Sequence, residues 1–362
     1  MQGTAVSRVS VVTSLLALML WLAVAGSAWG QKSCHPDGKP IENEVVFNSS
    51  GGSYGEAIEK VFFRNFEKDC GAKVTHVTDA RTYAQMRQYV RSGSVPWDLG
   101  GTRADQEMPL GIKDGILHKL PAGFWDTLKA DMIPGSFNDY GAWATPYSDI
   151  LVYSTTAVPN GMKNWKDFWD VKTFPGPRMM QNNPISLVMA LLADGVPADK
   201  VYPLDLDRAF RKMDELRPNI RAFWTAADVP VLGVANGEFT AATTWNGRLV
   251  SALRAGRPVA PAWDGALLHT SWTFILKDSP HPRAAEALLY YMQRPELQAE
   301  LAKLTGYTGG NKKVAALLEP GVVANLASSP EHAAMASVID AQWWADNLAP
   351  VQARWDAWMA KR

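Results

Sequence analysis

The first third of the chain alternates short apolar runs with amphipathic stretches. Runs at Glu44–Asn48, Lys73–Val77 and 96–99 are too short for helices and lie next to Gly, Ser or Pro, which is typical of buried strands. Between them, segments 53–68 and 82–91 repeat apolar side chains at the spacing of one helix face. Strand, helix, strand, helix, strand is the order of a parallel sheet covered by helices, so we predict an α/β fold.

This order is interrupted between 143 and 153, and a second set of elements follows. The pattern there predicts a strand at 239–245. It predicts helices at 164–170, 185–193, 205–216, 282–293 and 295–304. Gly306 ends the last helix. At 362 residues the chain is long enough for two lobes, each with its own core.

Residues 1–30 differ in composition from the rest of the chain. Arg8 precedes an apolar run over 9–25, and small residues close that run. This arrangement predicts a secretory signal peptide cleaved near Gly30, with Ala28 as the next cleavage site, and therefore a periplasmic protein. The alternative is an uncleaved membrane anchor, because the run approaches spanning length.

Cys34 and Cys70 are the two cysteines of the chain. In an oxidising compartment such a pair predicts one disulfide, which would tie the N-terminal extension to the end of the first helix. Two unpaired buried thiols are the alternative.

The charge balance excludes several partner classes. Lys+Arg and Asp+Glu number 36 each, so there is no basic excess for a nucleic acid or an anionic membrane. The six histidines show no metal-ligand spacing and are interpreted as surface or satisfied residues: His35, His76, His118, His269, His281 and His332. The adjacent Tyr290 and Tyr291 resemble a ferric site, but their helical spacing favours core packing. We expect no metal and no cofactor.

One motif suggests catalysis. Residues 51–55 match G-x-S-x-G between a strand and a helix, the nucleophile elbow of serine hydrolases, with Ser53 as nucleophile and His269, His281 or His332 downstream. The favoured interpretation is a Gly-rich turn whose free N–H groups face a cleft and hold a ligand oxygen.

Trp245 is a candidate ligand contact. It stands at the end of the predicted strand 239–245, just before a glycine turn. Ligand contacts in open α/β sheets lie at such strand ends. An indole there would stack on an apolar or cationic ligand.

The ordered set of motifs resembles the spermidine/putrescine-type periplasmic binding proteins, over roughly residues 41–358. The segments that carry this resemblance are Trp97-Asp98-Leu99, Asp114-Gly115-Ile116-Leu117, Pro146-Tyr147, 164–169, Gly237-Glu238-Phe239, Trp245-Asn246-Gly247-Arg248, Gly256-Arg257-Pro258-Val259, Arg294-Pro295-Glu296, Gly306-Tyr307-Thr308 and 342–346.

The resemblance implies a two-lobe type II periplasmic-binding fold that closes on a small ligand by a hinge. It implies a monomer that delivers this ligand to an inner-membrane ABC permease, and no enzymatic activity. Lobe 1 is expected to comprise 41–147 and 270–315, and lobe 2 to comprise 148–269 and 316–362. The ligand-binding residues are expected to be Ser49, Tyr54, Thr102, Arg103, Tyr147, Asp149, Asn183, Trp245, Thr270, Trp272 and Tyr307.

The chain departs from this family where a polyamine would be held. Polyamine binders place carboxylates after a second-lobe strand and near residue 265, because a buried ammonium needs a paired anion. Here those places read Gln181-Asn182-Asn183 and Leu268-His269-Thr270. Asp149 could pair one ammonium, and Arg103 could receive a carboxylate, unless both form surface ion pairs. The expected ligand is a monoamine, an amino-acid-like zwitterion or a carboxylate.

Overall fold

The computed structural model of the chain describes residues 34–79, 82–102 and 104–361, apart from the side chain of Ser53. The predicted signal peptide at 1–30 and the candidate Arg103 lie outside the described residues. Within these ranges no helix combines the length and the apolar character needed to cross a membrane.

The described residues form two six-stranded mixed sheets. The strands are β1 (Glu44–Asn48), β2 (Lys73–Val77), β3 (Leu99–Gly101), β4 (Phe137–Asn138), β5 (Gly141–Trp143), β6 (Tyr147–Ser154), β7 (Arg178–Gln181), β8 (Ile220–Trp224), β9 (Ala241–Trp245), β10 (Val259–His269), β11 (Trp272–Ile275) and β12 (Ser337–Val338). The first sheet has the order β2-β1-β3-β11-β5-β4, and the second has the order β12-β10-β6-β9-β7-β8. Each sheet is the centre of one lobe, as predicted.

Helices surround both sheets. They are α1 (Gly52–Ile58), α2 (Arg64–Cys70), α3 (Tyr83–Ser92), α4 (Glu107–Lys113), α5 (Trp165–Trp169), α6 (Ser186–Ala193), α7 (Leu206–Leu216), α8 (Val229–Ala235), α9 (Asn246–Arg254), α10 (Pro282–Tyr291), α11 (Pro295–Thr305), α12 (Pro320–Val323), α13 (Pro330–Met335) and α14 (Ala341–Met359). A π-helical segment, Glu59–Phe63, joins α1 to α2, so the predicted first helix is present with one wide turn. Short 3-10 turns complete the connections.

The core of lobe 1 includes β1, the first strand of the described residues. β1 runs parallel to β2 and β3, and its Val45 and Phe47 are buried among the aromatic residues of the first helix. The Cys34–Cys70 disulfide is formed and borders the same core, which confirms the predicted pairing.

The core of lobe 2 is largely built by two helices. α6 is apolar around its circumference and almost wholly buried, as expected for a helix enclosed by other elements. The C-terminal α14 buries Trp355 and Trp358 in the same hydrophobic cluster.

Two of the three glycines in residues 51–55 have structural reasons. Gly52 has φ +68°, a conformation that disfavours side chains. A Cβ at Gly55 would lie 2.6 Å from the Ser50 carbonyl oxygen and 3.1 Å from the His76 ring. The motif therefore reflects a tight turn and the close packing of a helix on a strand.

Two of the segments that cross between the lobes lie side by side. One links β5 to β6 and the other links β10 to β11. They are bonded to each other through the Ala144 amide, which donates to the Ser271 carbonyl over 2.8 Å. Two adjacent strands without helical connections are a suitable hinge for lobe closure.

Candidate ligand-binding site

Three cavities lie along the cleft. The inner cavity, about 280 Å³, is lined by Asp105, Tyr147, Asp149, Gln181, Asn183, Trp245, His269 and neighbouring residues of α14. The small cavity, about 100 Å³, is enclosed by lobe 1 and the crossing segments and includes Ser49, Tyr54, Thr102 and Ser271. The outer groove, about 960 Å³, runs between α1 on lobe 1 and α8 and α9 on lobe 2, with Tyr54, Arg248 and Tyr307 in its walls.

Most of the predicted ligand contacts reach these cavities. Residues that line at least one of them are Ser49, Tyr54, Thr102, Tyr147, Asp149, Asn183, Trp245 and Tyr307. Six of them lie in or just beyond the end of a strand that borders the cleft, where the sequence analysis expected ligand contacts, whereas Tyr54 belongs to α1 and Tyr307 follows α11.

Two predicted contacts are placed elsewhere. The Trp272 side chain is buried in a hydrophobic cluster with Trp97 and Phe274 in lobe 1, because it follows the crossing segment on the inward face of β11. Thr270 lies in the second crossing segment, where its amide donates to Asp105 over 2.7 Å. Neither side chain lines one of the three cavities.

A buried charged cluster forms one wall of the inner cavity. His269 lies between two carboxylates, with Nδ1 2.6 Å from Asp105 Oδ2 and Nε2 2.9 Å from Asp149 Oδ2. Its ring stacks on Tyr147 at 4.5 Å with an interplanar angle of 4°. Asp105 comes from lobe 1, whereas Asp149 and His269 come from strands of lobe 2, so the cluster also connects the lobes.

His269 is an imidazolium at neutral pH. Burial alone would lower its pKa, but the charges and hydrogen bonds of Asp105 and Asp149 outweigh burial and raise the pKa to about 10. One imidazolium and two carboxylates give the cluster a formal net charge of −1. The same burial, together with the two carboxylates, raises the pKa of the Tyr147 hydroxyl well above its ordinary value, so this tyrosine stays neutral.

Two acceptors of the inner cavity have no donor. Asp149 Oδ1 and Gln181 Oε1 are buried and make no hydrogen bond to the described residues. Asp149 is 1% exposed, which excludes the surface ion pair considered from the sequence. Buried acceptors without donors cost free energy, so both atoms are suited to a ligand that brings N–H groups.

Trp245 lines the inner cavity, and Gly247 and Arg248, which follow it closely in the chain, line the outer groove. Trp245 lies directly across from Asp149 in the pairing of β6 with β9. Its ring packs edge-on against Trp224 at 5.4 Å and Tyr147 at 5.7 Å. These contacts hold the indole as a flat apolar wall, on which the methylene chain of a ligand can lie.

Arg248 supplies positive charge to the outer groove. Its nearest carboxylate oxygen is that of Asp228, at 3.5 Å, and its Nε is buried without an acceptor among the described residues. Tyr307 lies beside it over Gly247, where any Cβ would overlap the tyrosine ring. Burial raises the pKa of Tyr307 to about 12, although Arg248 acts in the opposite direction.

The inner cavity and the outer groove carry opposite formal charges. The inner cavity has the two carboxylates and the imidazolium, a net −1. The outer groove has two acids, Glu56 and Asp228, and three bases, Lys60, Arg248 and Arg257, a net +1. This arrangement is complementary to a zwitterion whose two charges are several ångströms apart.

Sequence reasoning missed Asp105, His269 and Arg248. Arg248 stands in the quoted Trp-Asn-Gly-Arg segment, and its place one helical turn after Trp245 was a usable signal. The contact of Asp105 with His269 joins residues 164 positions apart, so no local pattern could indicate it.

The histidines proposed for a hydrolase are all engaged elsewhere. His269 is held by its two carboxylates, His281 contacts Asp98, and His332 stacks on Trp263 at 3.7 Å. Tyr291 is buried and donates to Asp69 over 2.7 Å, in agreement with the core-packing interpretation. No cluster of three or more metal-binding side chains occurs among residues 34–79, 82–102 and 104–361.

Comparisons with known proteins agree on one class. Residues 62–334 match the family described as bacterial extracellular solute-binding protein. The chain is 31% identical over 320 residues to the gamma-aminobutyric acid-binding protein of Pseudomonas aeruginosa, covering 86% of this chain and 90% of that protein. It is 23% identical over 314 residues to the spermidine/putrescine-binding periplasmic protein of Escherichia coli, covering 83% and 86% of the two chains. Its fold is similar to that of an ABC transporter substrate-binding protein from Bradyrhizobium japonicum, with TM-score 0.81 and 30% identity over 88% of this chain and 100% of that one.

Proposed function

The chain belongs to the family of bacterial extracellular solute-binding proteins, and from this premise we propose that its ligand is a linear ω-amino acid. As a member of this family it is a substrate-binding component of an ABC transporter and not an enzyme. The predicted resemblance and type II fold are confirmed, and the hydrolase alternative with Ser53 has no support.

The observation that carries this proposal is the opposite formal charge of the inner cavity and the outer groove. The ligand ammonium would bind in the inner cavity against Asp149 Oδ1 and Gln181 Oε1, the two acceptors that lack donors. The ligand carboxylate would bind Arg248, whose guanidinium can donate to both oxygens. The methylene chain would lie on the Trp245 indole.

The spacing of the anchors favours separated charges. Asp149 faces Trp245 across a strand pair, and Arg248 follows about one helical turn later, so the two Cα atoms are within about 11 Å of each other. An α-amino acid holds its charged groups about 2.5 Å apart, whereas four carbons extend this distance to about 5 Å. The longer zwitterion reaches both anchors with less displacement of the protein.

Polyamines are expected to bind poorly. The net charge of −1 in the inner cavity neutralises one ammonium, and a second or third buried ammonium without an anion costs several kcal/mol, on the order of the usual desolvation penalty. The ligands named for the relatives agree with this expectation. The chain is 31% identical to the gamma-aminobutyric acid-binding protein and 23% identical to the spermidine/putrescine-binding protein.

Calorimetry on the mature protein tests the ligand class. We expect 4-aminobutyrate and 5-aminovalerate to bind at least tenfold more tightly than alanine, putrescine or spermidine. A spermidine affinity equal to or above that of 4-aminobutyrate would refute the proposal.

Substitutions test the anchors. Asp149→Asn is expected to weaken ω-amino acid binding about 30-fold or more, since truncating one partner of a buried charge pair costs about 2–5 kcal/mol. Arg248→Gln should weaken it comparably, whereas Arg254→Gln, on the same helix but outside the three cavities, serves as the matched control. Trp245→Ala should weaken binding about tenfold or more. If Arg103→Gln abolishes binding while Arg248→Gln does not, the carboxylate anchor is misassigned.

We further propose that the mature protein is a periplasmic monomer that delivers its ligand to an inner-membrane permease. The signal predicted at 1–30 and the periplasmic relative in Escherichia coli support this location. Intact mass of protein from a periplasmic extract should correspond to cleavage near Gly30, and light scattering should give the monomer mass. Retention of residues 1–30 in the membrane fraction would contradict the export proposal.

A further inference from the structure

A hydrogen-bonded chain leads from the small cavity to the surface of lobe 1. Ser49 Oγ lies 2.7 Å from His76 Nε2, and His76 Nδ1 lies 2.6 Å from Glu59 Oε1. The serine and histidine side chains are buried, whereas the Glu59 side chain is 38% exposed. None of the three has a role in the ω-amino acid site described above, although Ser49 lines the small cavity.

The contact with Glu59 determines which nitrogen of His76 carries hydrogen. A carboxylate only accepts hydrogen bonds, so Nδ1 is protonated in both the neutral and the charged imidazole. In the neutral ring Nε2 is then an acceptor, and the Ser49 hydroxyl hydrogen must point towards it. Ser49 consequently offers only lone pairs to the small cavity while His76 is neutral.

Protonation of His76 reverses this arrangement. Nε2 then becomes a donor to Ser49 Oγ, which releases the hydroxyl hydrogen of Ser49. That hydrogen can be donated to the Ser50 carbonyl, 3.2 Å away, or to an acceptor atom of a ligand in the cavity. The two forms of His76 therefore present a ligand with opposite hydrogen-bonding partners.

If the ω-amino acid binds as proposed above, its carboxylate end is the part that lies towards Ser49. The small cavity shares Tyr54 with the outer groove, where Arg248 stands. It shares no lining residue with the inner cavity. A carboxylate oxygen needs a donor, and Ser49 becomes one when His76 is charged.

We propose that His76 is a positioning residue that sets Ser49 as donor or acceptor, so that binding of a ligand carboxylate takes up a proton on His76. The second half of this statement rests on the ω-amino acid function proposed above. Proton uptake on binding makes the affinity rise as pH falls, by up to about tenfold per pH unit if one whole proton is taken up.

The groups around His76 are consistent with this coupling. Glu59 supplies a negative charge from the π-helical segment, the Phe63 ring lies 5.6 Å away without charge, and Ser49 is neutral. His269, the other histidine of the cleft, adds no proton uptake between pH 6 and 8, because its pKa is already raised to about 10.

Calorimetry in buffers of different ionisation enthalpy measures the proton uptake. With 4-aminobutyrate as the probe, wild-type protein should take up a measurable fraction of a proton at pH 7 and bind more tightly at pH 6 than at pH 8. His76→Gln and Ser49→Ala should bind without proton uptake and with little pH dependence. His118→Gln, a substitution of a histidine outside the three cavities, should behave like wild type.

Nitrogen NMR of the ligand-free protein tests the hydrogen-bond chain independently. At pH 9 we expect His76 to carry its hydrogen on Nδ1 and to show an acceptor Nε2 whose resonance moves in Ser49→Ala. A hydrogen on Nε2, or no response to Ser49→Ala, would overturn the inference whether or not ω-amino acids bind. Binding of 4-aminobutyrate with proton uptake that persists in His76→Gln would overturn it too, while leaving the proposed function intact.

Discussion

The buried cluster of His269 with two carboxylates predicts a specific dependence of stability on pH. The pKa of His269 is raised to about 10 in the folded protein, from an ordinary value of 6.5 in an unfolded chain. A raised pKa stabilises the fold fully below pH 6.5, and this contribution is lost as pH rises through about 10. The upper limit of this stabilisation is about 5 kcal/mol, because each pH unit between the unfolded and the folded pKa contributes about 1.4 kcal/mol.

His269→Gln removes the cation and leaves Asp105 and Asp149 facing each other in a buried site. At pH 7 we expect the free energy of unfolding to fall by about 3–5 kcal/mol, the usual cost of removing one partner from a buried ion pair. The difference between wild type and variant should shrink between pH 7 and 10, because the folded wild-type protein keeps a proton on His269 that the unfolded chain releases, and holding that proton becomes less favourable as pH rises.

Urea unfolding followed by tryptophan fluorescence at pH 7, 8.5 and 10 measures this difference. His332→Gln is the control, since burial lowers the pKa of His332, which is therefore neutral from pH 7 to 10 and should leave the pH dependence unchanged when it is lost. A constant difference between wild type and His269→Gln across this range would show that His269 is not the titrating group.

Three further outcomes are expected. Reducing the Cys34–Cys70 disulfide opens a cross-link across 36 residues and should lower the free energy of unfolding by about 3–4 kcal/mol. Equal urea midpoints with and without reductant would contradict this expectation. Gly55→Ala brings a Cβ to 2.6 Å from the Ser50 carbonyl and should cost about 1–3 kcal/mol in thermal unfolding, whereas Gly51→Ala, with its nearest neighbour at 3.4 Å, should cost less than about 1 kcal/mol. Lobe closure on 4-aminobutyrate should reduce the radius of gyration in small-angle scattering, and an unchanged radius at saturation would argue against the hinge.

Elements with a strong local pattern were predicted closely. β1 and β2 have the predicted bounds, and Gly306 ends α11 in a left-handed conformation, as a C-terminal glycine does. Elements whose pattern is weak were missed or displaced. β3 begins at Leu99 instead of 96, and β7, β8, α8, α9 and α14 had no prediction, because burial in the second lobe decides their structure.

The sequence by itself determined the class of protein and much of the cleft. The signal-like segment, the two cysteines, the α/β pattern and the ordered motifs all follow from local composition and spacing. The absence of the polyamine carboxylates is also visible in the sequence, and it indicates a ligand with one ammonium.

Only the tertiary structure decided the chemistry of the cleft. From the sequence, His269 was interpreted as a surface or satisfied histidine. Its charge follows from the position of its strand beside β6 and against the loop that carries Asp105. Ser49, His76 and Glu59 likewise come from separate elements, and their hydrogen-bonded chain exists only because α1 packs on β2 across Gly55. A side chain acquires its charge and its donor or acceptor role from neighbours distant in sequence, and these neighbours are set by packing.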